Sequence, residues 1–287
     1  RRLHPRADQS SPLAKDNRLF MRRGLAAMLA ASAHRHPGHA EWLQRLANDP
    51  DGAVRQALAF ALPAMPSTLV AGMFAKLRVD RDPQVRAALL AEAVAVAGVV
   101  GTEEFLALLE RVFAREQDEF ALRTAMAAAT DLAGWLLETD PDRLPETVAR
   151  LRAALTGLRA RTESAKLRRW AGAAREELWL LGDAEARTIA ATVRAATGSL
   201  REGQACRPRE LRDHDEAMVG RVLAVLARYD FGFDYSPGHR PRLRRGDHFK
   251  RRWWRIFFEG RISATDKRQA WLHTIGRAYQ GPVLAPP

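Results

Sequence analysis

The chain is short of cysteine, lysine and tyrosine, and no part of it is apolar for long. One cysteine, Cys206, in 287 residues excludes an internal disulfide framework and fits a reducing compartment, so a cytoplasmic location is expected. No uncharged apolar run reaches the roughly 18 residues that span a bilayer; the best, around residues 87–100, contains Glu92. The phosphate-cradling patterns G-x-x-x-x-G-K-[ST] and G-x-G-x-x-G are missing, as is the G-x-S-x-G elbow of a nucleophilic serine. The common nucleotide-binding and hydrolase signatures are therefore excluded. The sequence runs from Arg1 to Pro287 and is expected to be a segment of a longer protein.

What is present is hydrophobic content (47%), enough for a large core, and a net charge of +12. Only five of the 46 basic residues are lysines. Arginine preference suits bidentate phosphate binding, and it also follows from the codon bias of a GC-rich genome. Between His239 and Arg277 twelve basic residues face three acids, so 12 − 3 = +9 of the excess sits there and the remainder is nearly balanced. A positive field attracts phosphates, acidic proteins or anionic lipids without choosing among them.

Hydrophobic periodicity is helical nearly throughout, and alanine and leucine, both strong helix formers, dominate. Turn residues recur at Pro37-Gly38, Asp49 to Gly52, Pro66-Ser67, Asp82-Pro83, Gly101-Thr102, Asp140 to Asp142 and Gly182-Asp183. They predict helix pairs over 17–34 with 39–48, 51–64 with 66–78, 83–98 with 102–115, 118–137 with 144–158, and 162–181 with 183–197. One pattern repeats within the pairs. Asp51-Gly-Ala-Val54-Arg55 opens one helix, Asp82-Pro-Gln-Val85-Arg86 another 31 residues later, and Glu119-Phe-Ala-Leu122-Arg123 a looser third; Met21-Arg22 and Leu167-Arg168 keep only the apolar-arginine step. An aspartate at a helix start caps free N–H groups, and the arginine one turn later can reach a neighbouring repeat's acid. Two helices per 30–45 residues is the signature of a solenoid.

The D-x-x-V-R step resembles the start of HEAT repeats, relatives of armadillo repeats, over roughly residues 17–197. The resemblance implies an all-α, right-handed α-solenoid of about five helix pairs in which Asp51, Val54, Arg55, Asp82, Val85, Arg86 and Arg123 are scaffold positions. Residues 1–16 are then a lead-in, 198–211 a Gly/Pro-bearing linker, and 212–287 a helical extension with a basic loop at 229–248.

Candidate chemistry is sparse. His34, His36 and His39 straddle a helix end and a turn, without the fixed face a metal needs. The dyad His214-Asp215 lacks the upstream histidine of metal phosphohydrolases, because no histidine lies between 39 and 214. Arg245-Gly246-Asp247 reads as coincidence. Some HEAT-like proteins are alkylpurine DNA glycosylases with tryptophans near a catalytic aspartate, and here Asp131 lies one turn before Trp135, a common spacing. No catalytic residue, metal or cofactor is assigned.

The C-terminal octet RRWWRIFF, residues 251–258, separates on a helix into an apolar face (Phe249, Trp253, Ile256, Phe257) and a wet one (Arg252, Arg255, with Arg251). The apolar face is expected to close the end of the solenoid. The wet face, with Arg240, Arg242, Arg244 and Arg245, makes a candidate basic patch. The function expected is a non-catalytic scaffold that binds another protein as part of a larger chain. Nucleic-acid binding through the patch and glycosylase activity are the alternatives, and a membrane surface is not expected.

Overall fold

The structure is a computed structural model that describes residues 12–36, 38–198, 205–206, 209–229 and 243–244. Among these the backbone is all-α apart from turns and one two-residue antiparallel bridge, Ala205 opposite Arg244 and Cys206 opposite Leu243. The chain divides into two compact units, residues 1–128 and 129–287.

The first unit holds α1 (Pro12–Ser32), α2 (His39–Leu46), α3 (Gly52–Ala61), α4 (Ser67–Leu77), α5 (Pro83–Ala91), α6 (Ala93–Val100), α7 (Thr102–Arg115) and the start of α8 (Glu119–Thr139). α3 packs against α1 on one side and α5 on the other, and α4 packs against α6. The apolar stripes follow helical spacing: Val54, Leu58 and Ala61 are buried on α3, Val85, Ala88 and Leu89 on α5, and Phe105, Leu109, Val112 and Phe113 on α7.

Two expected helices differ from the structure. The one predicted over 51–64 ends in a 3₁₀ turn, Leu62–Ala64, where Pro63 removes a backbone donor. The one predicted over 83–98 is two helices, α5 and α6, meeting at Glu92 with an 84° bend. No glycine or proline marks that bend. It buries Ala93, Val96 and Ala97 against the unit while Val94 and Val99 stay exposed. Gly101 ends α6 at φ +95°, a conformation that glycine adopts without strain. Among the described residues no single helix is long and apolar enough to cross a membrane.

The second unit continues α8 and adds α9 (Leu144–Arg161), α10 (Ala165–Gly182), α11 (Ala184–Gly198) and α12 (Glu216–Tyr229). α9 and α10 form a closely packed hairpin; α10 also meets α11 and α12, and α11 meets α12. Trp179, Ile189, Val193, Val222, Leu223 and Leu226 share the core where α10, α11 and α12 come together. The helix predicted to begin at 212 begins at Glu216, behind a 3₁₀ turn at Arg209–Asp213, because Asp215 caps it: the Met218 N–H donates to Asp215 Oδ2 at 2.9 Å. The predicted C-terminal helices lie outside the described residues, and with them Phe249, Trp253, Ile256 and Phe257.

The starts of α3 and α5 lie side by side. A Cβ placed on Gly52 would sit 1.9 Å from Oδ2 of Asp82, the residue that caps α5. Gly52→Ala must therefore push the α5 cap aside. Although alanine is the better helix former, the substitution is expected to destabilise by about 1 kcal/mol, the size of a lost cap. Urea unfolding checks this, and a stabilised variant would mean that the two helix starts are further apart.

Candidate functional site

A single local device recurs along the described residues. Asp51 caps α3 by accepting from the Ala53 N–H at 2.9 Å, and Arg55, four residues on, donates from Nη1 to the carbonyl of Asp49 at 2.7 Å. Asp82 and Arg86 do the same at α5, where Arg86 donates to the carbonyl of Asp80. In the second unit Ser164 caps α10 and Arg168 reaches the Thr162 carbonyl, while Asp183 caps α11 and Arg187 reaches the Leu181 carbonyl. At all four sites the arginine follows the cap by four residues and bonds the carbonyl two residues before it. The sequence pattern had located the first two sites. It took only the apolar-arginine step at Leu167-Arg168, missing Ser164, and it did not single out 183–187. A cap-x-x-x-Arg search allowing serine would have found both.

The first unit adds a second half to the device. The residue two before the cap is an acid: Asp49, Asp80 and Glu116. Each such carboxylate accepts from the cap's own N–H (Asp51, Asp82 and Asp118) at 2.9–3.0 Å. It also receives the arginine of the preceding helix pair: Arg22 to Asp49 at 3.1 Å, Arg55 to Asp80 at 2.7 and 2.9 Å, and Arg86 to Glu116 at 2.7 Å. The Arg55–Asp80 pair is buried, its side chains 7% and 9% exposed. Val54 and Val85, beside the two arginines, are fully buried. At the third copy the register shifts. Asp118, not Glu119, caps α8 through the Ala121 N–H, so half-buried Arg123 follows its cap by five residues instead of four.

Burial alone would raise the pKa values of Asp80 and Glu116. Hydrogen bonds outweigh it and hold both carboxyls below their ordinary values, from Arg55 and the Asp82 N–H on Asp80, and from Arg86 and the Asp118 and Gln117 N–H groups on Glu116. Arg55 is held above its ordinary value, chiefly by its hydrogen bond to Asp80.

The residues weighed for catalysis have other engagements. His39 Nδ1 lies 2.9 Å from Ser32 Oγ, and the His36 ring packs tilted against His39 with centroids 5.1 Å apart. His214 pairs with Glu185 at 3.0 Å, and Asp215 is a helix cap. Asp131 and Trp135 are half-buried on α8, Trp170 and Trp179 are buried, and exposed Trp42 lies under the Arg45 guanidinium at 4.9 Å. Among the described residues no group of three or more His, Cys, Asp or Glu is arranged to hold a metal. Of the candidate basic patch, Arg244 is described only as backbone in the bridge to Ala205; Arg240, Arg242, Arg245, Arg251, Arg252 and Arg255 lie outside the described residues.

A second basic region is in full view, and the overall charge count had concealed it. Residues 150–177 carry eight Lys/Arg (150, 152, 159, 161, 166, 168, 169, 175) against Glu163, Glu176 and Glu177, so 8 − 3 = +5. They lie on the α9–α10 hairpin, where Arg152, Thr156 and Arg159 share one face of α9 at helical spacing. Arg175 donates to Thr156 Oγ1 at 3.4 Å, and the Arg159 guanidinium lies over Gly172, 3.6 Å from where a Cβ would stand. Glu176 takes a 2.7 Å bond from Arg221 of α12, whose guanidinium also stacks 3.7 Å over Trp179.

No family model, curated protein or solved structure matches the chain.

A carboxylate with a depressed pKa stabilises the fold fully above the ordinary carboxylate range and loses that contribution as pH falls through it, because the unfolded chain then binds more protons. Arg55, with a raised pKa, contributes at every pH below the arginine range and adds no slope in acid. The urea midpoint is therefore expected to stay level from neutral pH to about pH 5.5 and to fall below about pH 5. Asp80→Asn should lower the plateau and flatten the fall. An unchanged acid slope in that variant would show that Asp80 is not held ionised by Arg55.

Proposed function

We propose that this chain is a HEAT-like helical-repeat scaffold, non-catalytic, that binds another protein as a module of a larger intracellular protein. The carrying observation is the relay in the first unit. The arginine in the first helix of one pair reaches the acid that precedes the first helix of the next, from α1 to α3 to α5 to the start of α8. A device that repeats once per helix pair is what stacked repeats need, because each unit contacts its neighbours and little else. The right-handed superhelix of about five pairs belongs to this reading. So does the division into solenoid (17–197), linker (198–211) and C-terminal extension.

Two further points support it. Of the residues that sequence patterns single out for chemistry, His39 and His214 pair with side chains of other helices and Asp215 is a helix cap. The first unit also leaves Met21, Met28, Trp42 and Phe60 exposed, and large apolar side chains suit a protein partner better than a phosphate backbone.

The test uses the full chain as bait, followed by purification of whatever protein it captures. A saturable, stoichiometric complex that persists as salt is raised, together with no base release from alkylated DNA, supports the scaffold. Association with DNA or RNA alone, weakening with a log–log salt slope of roughly −0.9 per phosphate contact, would replace it with the nucleic-acid reading. Release of alkylated base would make the chain an enzyme.

A further inference from the structure

The seam between α9 and α10 gathers more positive charge than its own acid neutralises. Arg221 reaches Glu176 at 2.7 Å and Arg175 lies 3.7 Å from it, while Arg152 and Arg159 flank Thr156 on the α9 face that Arg175 meets. Burial would raise the Glu176 pKa. The hydrogen bond from Arg221, with the charges of Arg221, Arg175 and Arg152, holds it below its ordinary value. The protein leaves their hydrogen-bonding capacity partly unused: among the described residues, the Nε atoms of Arg152 and Arg175 are buried without an acceptor. Guanidinium groups repel one another, and this many are held together at low cost only when an anion joins them.

We propose that this seam is an anion site for a compact phosphate group, a phosphate monoester or diphosphate of a small molecule. The geometry favours that class. Arg152 and Arg159 are seven residues apart on α9, about 10 Å at 1.5 Å per residue, and Arg175, bonded to Thr156, sits between them. Such a spacing fits one multiply charged group more closely than a phosphodiester strand, which carries one charge per unit and needs a longer row of contacts. Arginine's planar fork grips phosphate oxygens two at a time. The cluster is also pre-arranged. Thr156 donates its proton to the Arg152 carbonyl at 2.8 Å, leaving its oxygen for Arg175, and Glu176 and Trp179 together fix Arg221. Glu176 thus sets the arginines in place, and the anion lies beside it along the α9 face. The inference stands apart from the repeat relay, which lies in the other unit.

Calorimetric titration of the full chain with sodium pyrophosphate, against sodium chloride at matched ionic strength, tests the site. Saturable one-to-one binding is expected. Arg152→Gln and Arg159→Gln should each weaken it about tenfold or more, the usual effect of losing a charge-assisted bond. Arg111→Gln removes the same charge from an exposed position of α7, in the other unit, and should bind as the parent does. Arg159 is exposed, so its variant tests the site even if Arg152→Gln fails to fold. No saturable heat at millimolar pyrophosphate overturns the proposal. So does equal weakening by Arg111→Gln, which would mean a diffuse field, or arginine-dependent binding of a short DNA in place of pyrophosphate.

Discussion

The first unit depends on Arg55 and its two obligations. One edge of its guanidinium satisfies carbonyls in the loop before its own helix, and the other clasps Asp80 with two hydrogen bonds. Removing two charges from water costs several kcal/mol per ion, and that is offset only where the remaining donors and acceptors are matched. Here they are. Asp80 also accepts from the Asp82 N–H, so a single carboxylate orders the loop, places the α5 cap and receives the previous pair's arginine. A shift of α5 against α3 by one helical turn would leave both charges buried and unmatched. The apolar stripes drive the helices together, as area burial does in any orientation; the ion pair specifies how they align. The Arg22–Asp49 and Arg86–Glu116 pairs extend the rule in both directions, with more solvent around the arginine in each.

The second unit keeps the cap and the carbonyl bond but puts Thr162 and Leu181 where the acid would stand. Arg168 and Arg187 close their own loops, and an ion pair between helices in this unit, Arg221 to Glu176, is made outside the device. Helix contact is carried instead by large side chains, with Trp179, Ile189 and Leu223 in one cluster, and by close approach, Gly182 lying where a Cβ would meet Val148 at 2.8 Å. The positive charge of α9 and α10 is thereby left for other work. The same residue type, arginine, is a fold determinant in one unit and the material of a site in the other.

Much of this was legible in the sequence, and the exceptions have physical causes. Helix content, most pair boundaries and the Asp51–Arg55 and Asp82–Arg86 steps follow from periodicity and capping, which are local. The bend at Glu92 carried no signal, because Ala91, Glu92 and Ala93 suit a continuous helix and only packing turns the chain there. The register at α8 was misjudged by one residue because Asp118 and Glu119 are both acids at a helix start, and only the hydrogen bond to Ala121 distinguishes them. The α9–α10 seam was hidden by averaging. A positive stretch of +5 vanished into a total that the C-terminal segment dominated, and its arginines converge only once two helices and α12 are folded together.

The most direct test of the central claim is a double-mutant cycle on Arg55 and Asp80, using Arg55→Met, Asp80→Asn and the pair, with stability measured by urea unfolding. If the buried ion pair aligns α3 with α5, the coupling energy should exceed about 1.5 kcal/mol, the upper part of the range for residues in one network. A coupling below about 0.5 kcal/mol, as for an exposed surface pair, would contradict the account.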